Sequence, residues 1–148
     1  MTTIVGQSAP RIDAKGKVTG ETLYSGDLAM PGMLHMKILF AGRPHARILS
    51  LDTSRAGQVP GAVAIFTARD VPVNEYGLQI NDQPVLCGPH PLPGPPPNAL
   101  HLGGGGVGVD ASIVRFVGDQ VAVIVAETEE AAAKARALIK VDYEDLPL

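Results

Sequence analysis

The residues of this chain that could do chemistry are few. They are four histidines, one cysteine, a run of glycines and a small cluster of carboxylates. Gly103, Gly105 and Gly108 satisfy the spacing G-x-G-x-x-G. In a dinucleotide site that spacing follows a strand and opens a helix, so that backbone amides and the helix dipole meet the phosphates. Here a proline-rich stretch precedes it and a strand pattern follows, so the glycines read as loop. Cys87, His90 and His101 lie close in sequence and could ligate zinc, but a structural site wants four ligands and only three candidates are present. Cys87 reads instead as a small buried hydrophobe. His35 falls in a strand pattern and His45 in a turn. Neither has a serine or cysteine partner in a nucleophile motif, so both read as hydrogen-bonded structural residues. Asp142, Glu144 and Asp145 could form an acid–base pair only if one of them were isolated from water, and the pattern puts them on a solvated face.

Lys37, in His35-Met36-Lys37-Ile38, is similar in setting to the lysine of biotin and lipoyl carrier domains. Those domains present it at a hairpin tip. Lys37 lies inside a strand pattern with turn signals several residues away, so it reads as a solvent-facing lysine.

The elements that must position these residues are organised around Ile113–Leu148. Val121–Val125 is a continuous β-branched apolar run and predicts a buried strand. Thr128 is a good N-cap residue for a helix running to about Lys140. Glu129 and Glu130 suit its start, and Arg136 and Lys140 its end. Ala131, Ala135, Leu138 and Ile139 share the face that would lie on a sheet. Alternation resumes through Val141 and Tyr143, completing strand, helix, strand. Upstream, residues 1–20 read as an extended wrapping segment, and a short strand is expected around Thr22–Tyr24. Further strands are expected over Met33–Phe40, Ala46–Asp52 and Ala62–Thr67. In the first, Leu34, Met36, Ile38 and Phe40 share a face; in the second, Ile48 opposes Leu49 and Leu51. Asp52-Thr53-Ser54 would cap a short helix ended by Pro60-Gly61, and Thr67–Asp70 forms one turn closed by Pro72. Residues 88–110 are dominated by proline and glycine and predict an inserted surface loop within a single domain.

Bulk composition removes several function classes. A net charge of −3 and the lack of a basic, aromatic-bearing stripe give no case for nucleic acid. No apolar run has membrane-spanning length, and the first twenty residues lack the apolar core of a secretory signal. A single cysteine rules out an internal disulfide framework. A cytoplasmic protein with an aliphatic core is expected, since the chain is 45% apolar with no Trp.

Four ordered segments carry a resemblance to a known family. The first is Gly6-Gln7-Ser8, Arg11-Ile12-Asp13 and Lys17-Val18-Thr19-Gly20. The second is Tyr24, Asp27 and Pro31-Gly32-Met33-Leu34. The third is Pro44-His45-Ala46-Arg47-Ile48, Asp52, Pro60-Gly61-Ala62 and Thr67-Ala68-Arg69-Asp70. The fourth runs from Val114-Arg115-Phe116-Val117-Gly118-Asp119-Gln120-Val121-Ala122 through Ala126-Glu127-Thr128 to Val141–Pro147. Together they resemble the α/β hammerhead domain of the molybdenum-bearing large subunit of xanthine dehydrogenase, aldehyde oxidase and CO dehydrogenase enzymes. Pro44 and Ala41 stand where that family usually has alanine and serine.

The resemblance implies an α+β fold over residues 1–148, with a mixed sheet and one long helix. It implies that the complete enzyme hydroxylates a carbon centre at a molybdopterin site, using water as oxygen source and passing electrons to iron–sulfur clusters and FAD. The molybdopterin-binding domains, with their catalytic glutamate, are absent from this chain. It would therefore be a structural part, either a fragment or a separately made piece, whose partners are those domains and the iron–sulfur and FAD subunits. No catalytic, cofactor-binding or metal-ligating residue is assigned to it. The alternative is a free-standing binding or assembly module with the same fold.

Overall fold

The computed structural model describes residues 5–77, 82–89 and 109–148. The chain forms two compact units, Met1–Met33 and Leu34–Leu148.

The first unit is built from local turn chemistry. Its one helix, α1 (Ala14–Thr19), has six residues, none of them buried, and ends at Gly20 in a left-handed conformation. The strand expected around Thr22–Tyr24 is absent. A 3₁₀ turn at Ser25–Asp27 follows that stretch, closed by the Asp27 carboxylate accepting from Tyr24 N–H at 2.9 Å.

The second unit contains β1 (His35–Phe40), β2 (Ala46–Asp52), β3 (Ala62–Thr67), β4 (Ile113–Val114), β5 (Gln120–Ala126), α2 (Glu129–Leu138) and β6 (Lys140–Asp145). The class is α+β, but the single mixed sheet expected from sequence is two antiparallel sheets. One has the order β1-β5-β3 and the other β4-β2-β6. The strands on either side of α2 therefore belong to different sheets.

The β-branched run falls on the central strand β5, where alternate residues feed two cores. Ala122, Ile124 and Ala126 face a cluster with Ala132 and Ala135 of α2. Val121 joins Ala41, Ile48, Cys87 and Val114. Leu39 packs against both clusters.

Small side chains let α2 lie close to the sheet. Ala132 and Ala135 are both 0% exposed, with Ala131, Leu138 and Ile139 partly buried beside them. Gly61, beside Ala131, has φ +84°, a backbone conformation that L side chains rarely adopt, so this tight turn favours glycine. The helix is two residues shorter than expected. Ile139 is extended, and Lys140 pairs with Asp52 at the start of β6, so ladder formation with β2 ends the helix.

A second departure lies in β2. Strict alternation sets Ile48 against Leu51, yet both pack on the Val121 cluster. A bulge at Leu49 inserts the extra residue that turns both inward.

Candidate functional site

The candidate groups are drawn into the fold itself. Cys87 lies in the second core, 1% exposed, with its backbone N–H donating to Gln120 O at 2.7 Å. Burial, reinforced by the nearby Asp119 carboxylate, pushes its thiol up to about 12. It is therefore a protonated, unreactive thiol at neutral pH. His90, His101 and the glycines at 103, 105 and 108 lie outside the described residues.

His45 precedes β2 and its Nδ1 is 2.6 Å from Pro147 O, while Leu146 N–H donates to His45 O at 3.0 Å. The imidazole thus pins the end of the chain beside β2. His35 opens β1 opposite Ala126. Lys37, expected to face solvent, keeps 32% of its side chain exposed and pairs at the surface with Glu129 in the first turn of α2. It points that way because Lys37 shares its sheet face with Ile124, the face that α2 covers. The same ammonium holds the Glu129 carboxyl below its ordinary value.

The acidic cluster on β6 is exposed, and each member finds a partner. Asp142 accepts from Ser50 Oγ, Glu144 lies 3.8 Å from Arg47, and Asp145 lies 3.3 Å from Arg43. Arg47 also reaches Asp110 at 3.6 Å and donates to Ser112 Oγ at 3.1 Å. Ser112 is almost fully buried and donates its hydroxyl to Asp110 at 2.6 Å. Sequence reasoning missed this Arg47–Asp110–Ser112 network. Arg47 lies more than sixty positions from Asp110 and Ser112, and no local spacing joins it to them.

Gly118 and Asp119, in the most distinctive segment of the sequence, are architectural. Asp119 Oδ2 accepts from the Arg115 and Phe116 amides at 2.6 and 3.2 Å. Ala41 N–H donates to Asp119 O, and Gly42 N–H to Val117 O. This latch sets the turn that launches β5 and leaves Phe116 and Val117 exposed.

One cavity of about 330 Å³ is lined by residues including Thr53, Thr67, Arg69, Asp70 and Pro89. Its carboxylate is already engaged, since Asp70 accepts from Thr67 N–H and Oγ1. No group of three or more His, Cys, Asp or Glu side chains able to hold a metal occurs among the described residues.

Nor do the described residues fit the cofactors that the resemblance implies. Cys87 is buried, and an iron–sulfur cluster needs about four thiolates. The N-terminus of α2 is closed to phosphate, because Ala131 N–H donates to Thr128 Oγ1 and Glu129 and Glu130 follow. What the arrangement can do is hold two sheets and a helix in a fixed relation.

Residues 19–90 and 109–147 match the model of the aldehyde oxidase and xanthine dehydrogenase a/b hammerhead domain. The chain belongs to that family. It is 41% identical over 140 residues to a probable xanthine dehydrogenase component of Bacillus subtilis, covering 94% of this chain and 16% of that one. It is 29% identical to the nicotinate dehydrogenase large molybdopterin subunit of Eubacterium barkeri, spanning 97% of this chain and 28% of that protein. Among solved structures, quinoline 2-oxidoreductase from Pseudomonas putida 86 superposes with a TM-score of 0.75 at 29% identity, over 99% of this hammerhead chain and 17% of its own. The Cu,Mo-CO dehydrogenase also gives 0.75, at 30% identity over 96% and 16%. The chain thus spans well under a third of the relatives it matches. No helix among the described residues is long and apolar enough to cross a membrane.

Proposed function

We propose that this chain serves as the hammerhead domain of the large subunit of a molybdopterin-dependent hydroxylase or dehydrogenase. Its task there is structural: it packs against the molybdopterin-binding domains, and the iron–sulfur and FAD subunits complete the electron path. The whole enzyme would oxidatively hydroxylate a purine, an aldehyde, a heterocycle or CO. The observation that carries this is the family match over both halves of the chain. The engagement of Cys87, Lys37, His45 and Asp70 within the fold supports a role without chemistry of its own. A lone buried cysteine suits a cytoplasmic location, which is part of the same proposal.

Residues 1–148 are taken as one hammerhead domain, with 88–110 as an insertion. Two facts support this. The family match leaves out residues 91–108, and Gly88 N–H donates to Ala111 O at 2.9 Å, so the two ends of the stretch meet.

The test is a graft. This chain replaces the matching stretch of the Bacillus subtilis protein, and molybdenum is measured in the purified product. Stoichiometric molybdenum is expected in the graft. The 148-residue chain alone should carry no molybdenum, iron or flavin band. A folded graft without molybdenum, or a cofactor on the isolated chain, overturns the proposal.

A further inference from the structure

The ladder between β2 and β6 is cut short by a proline. Its last paired residues are Ala46 and Asp145, and Leu146 N–H adds one more bond, to His45 O at 3.0 Å. Pro147 comes next and has no N–H to donate, so the backbone ladder stops there. The contact between the two strands nonetheless runs one residue further. His45 Nδ1 lies 2.6 Å from Pro147 O, so a side chain carries it where the backbone cannot.

A carbonyl oxygen only accepts, so the proton of this bond sits on Nδ1. The neutral ring is thereby held in one tautomer, with Nε2 bare. Neighbouring residues work in the same direction. Arg43 reaches Asp145 at 3.3 Å and lies over the Tyr143 ring at 5.5 Å. Gly42, at φ +64°, makes the bend before them. All of these residues belong to the Leu34–Leu148 unit. Surface contacts of this kind add little stability one by one. Together they guide residues 143–147 off the sheet along one path.

We infer that His45 is a positioning residue, a clasp that fixes the direction in which the chain leaves β6. This rests on the proposed function, in which the molybdopterin-binding domains follow on the same subunit and take their placement from that direction. Direction, rather than bulk stability, is what these residue types serve. Any residue but proline at 147 would keep its N–H and could extend the ladder. Proline gives that up, but it locks its own φ at about −65° and biases Leu146 towards an extended backbone. A stiff segment carries an orientation onward, and His45 grips its stiffest residue. Pro147 is also the last residue of the family match.

The tautomer is the first test. In nitrogen NMR of the isolated chain, the neutral ring of His45 should carry its proton on Nδ1. A ring protonated on Nε2 overturns the clasp. Two substitutions then separate the placed donor from side-chain bulk. The amide nitrogen of Asn stands where Nδ1 does, and that of Gln where Nε2 does. His45→Asn should leave exchange of the Leu146 amide unchanged, whereas His45→Gln should speed it on the order of 10-fold, as loss of one net hydrogen bond does. Equal exchange in the two variants overturns the inference. In the Bacillus subtilis graft, His45→Asn should keep the molybdenum of the unsubstituted graft and His45→Gln should lose most of it, while the two isolated chains melt at the same temperature. Full loading of the His45→Gln graft overturns the positioning role and leaves the proposed function standing. An unsubstituted graft without molybdenum overturns the proposed function, and the tautomer and exchange results still decide the clasp.

Discussion

Residues 5–33 and 34–148 both carry many large apolar side chains, and they use them in opposite ways. In the larger unit, Ile48, Val114, Val121 and Ile124 are buried between sheets and helix. In the smaller unit, Ile12 and Val18 stand in the open. Local structure does not separate the two, since both contain capped turns and positive-φ glycines. What separates them is partnership. A six-residue helix is far below the roughly 12–15 residues at which isolated helices become even marginal. By contrast, α2 is held by Ala132 and Ala135 against β5. Apolar residues stabilise a fold only when a second surface removes them from water.

The sharpest way to break this comparison is to trim the same residue type in both units. Ile124→Ala should destabilise the chain by about 2–5 kcal/mol, because it loses burial and leaves a cavity at the centre of the sheet. Ile12→Ala should stay within about 0.5 kcal/mol, as exposed substitutions do. Denaturant unfolding of both variants decides. Equal losses would mean that residues 5–33 have a core of their own.

Next in size is the helix face. Ala135→Leu overpacks a position with no free volume and should cost on the order of 1–3 kcal/mol. Exposed Ala137→Lys should cost no more than about 0.5 kcal/mol. The reverse order in denaturant melts would place the wrong face of α2 on the sheet.

A subtler probe is Cys87. Its folded thiol is raised from 9.0 to about 12, so the folded state favours the protonated form. That stability is complete below pH 9 and drains away as pH rises from 9 towards 12. The folded chain should resist iodoacetamide at neutral pH, and labelling should track unfolding. Cys87→Ala should remove this part of the alkaline loss. Rapid labelling of folded protein would show that the second core is open.

The smallest effect is expected between Gly88 and Ala111. Their backbone hydrogen bond already brings the ends together, so a short Gly/Ser linker in place of residues 90–108 should leave the melting temperature within a few degrees. A collapse of cooperative unfolding would make that stretch part of the core.

Much of the fold was legible because it depends on neighbours along the chain. The Val121–Val125 run marks a buried strand, Thr128 marks a helix start through one hydroxyl and one amide, and Pro60-Gly61 marks a turn that only a positive φ can make. The family, too, was readable from ordered short segments, above all Val114–Ala122. For the candidate groups, the sequence supplied residue types without their surroundings. Lys37 looked solvent-facing, because nothing near it in sequence announces Glu129 across the sheet.

Three things were left to the tertiary structure. It split the strands into two antiparallel sheets, ended α2 at Leu138, and rotated Leu51 inward through the bulge at Leu49. Each is settled by competition for a partner strand. Lys140 leaves the helix because β2 offers it a ladder, and Ile48 and Leu51 share a core because one extra residue offsets the pleat. Propensity and periodicity describe what a segment can do alone. Which alternative it takes depends on hydrogen bonds and apolar contacts from residues far away along the chain, and these exist only once the chain has closed on itself.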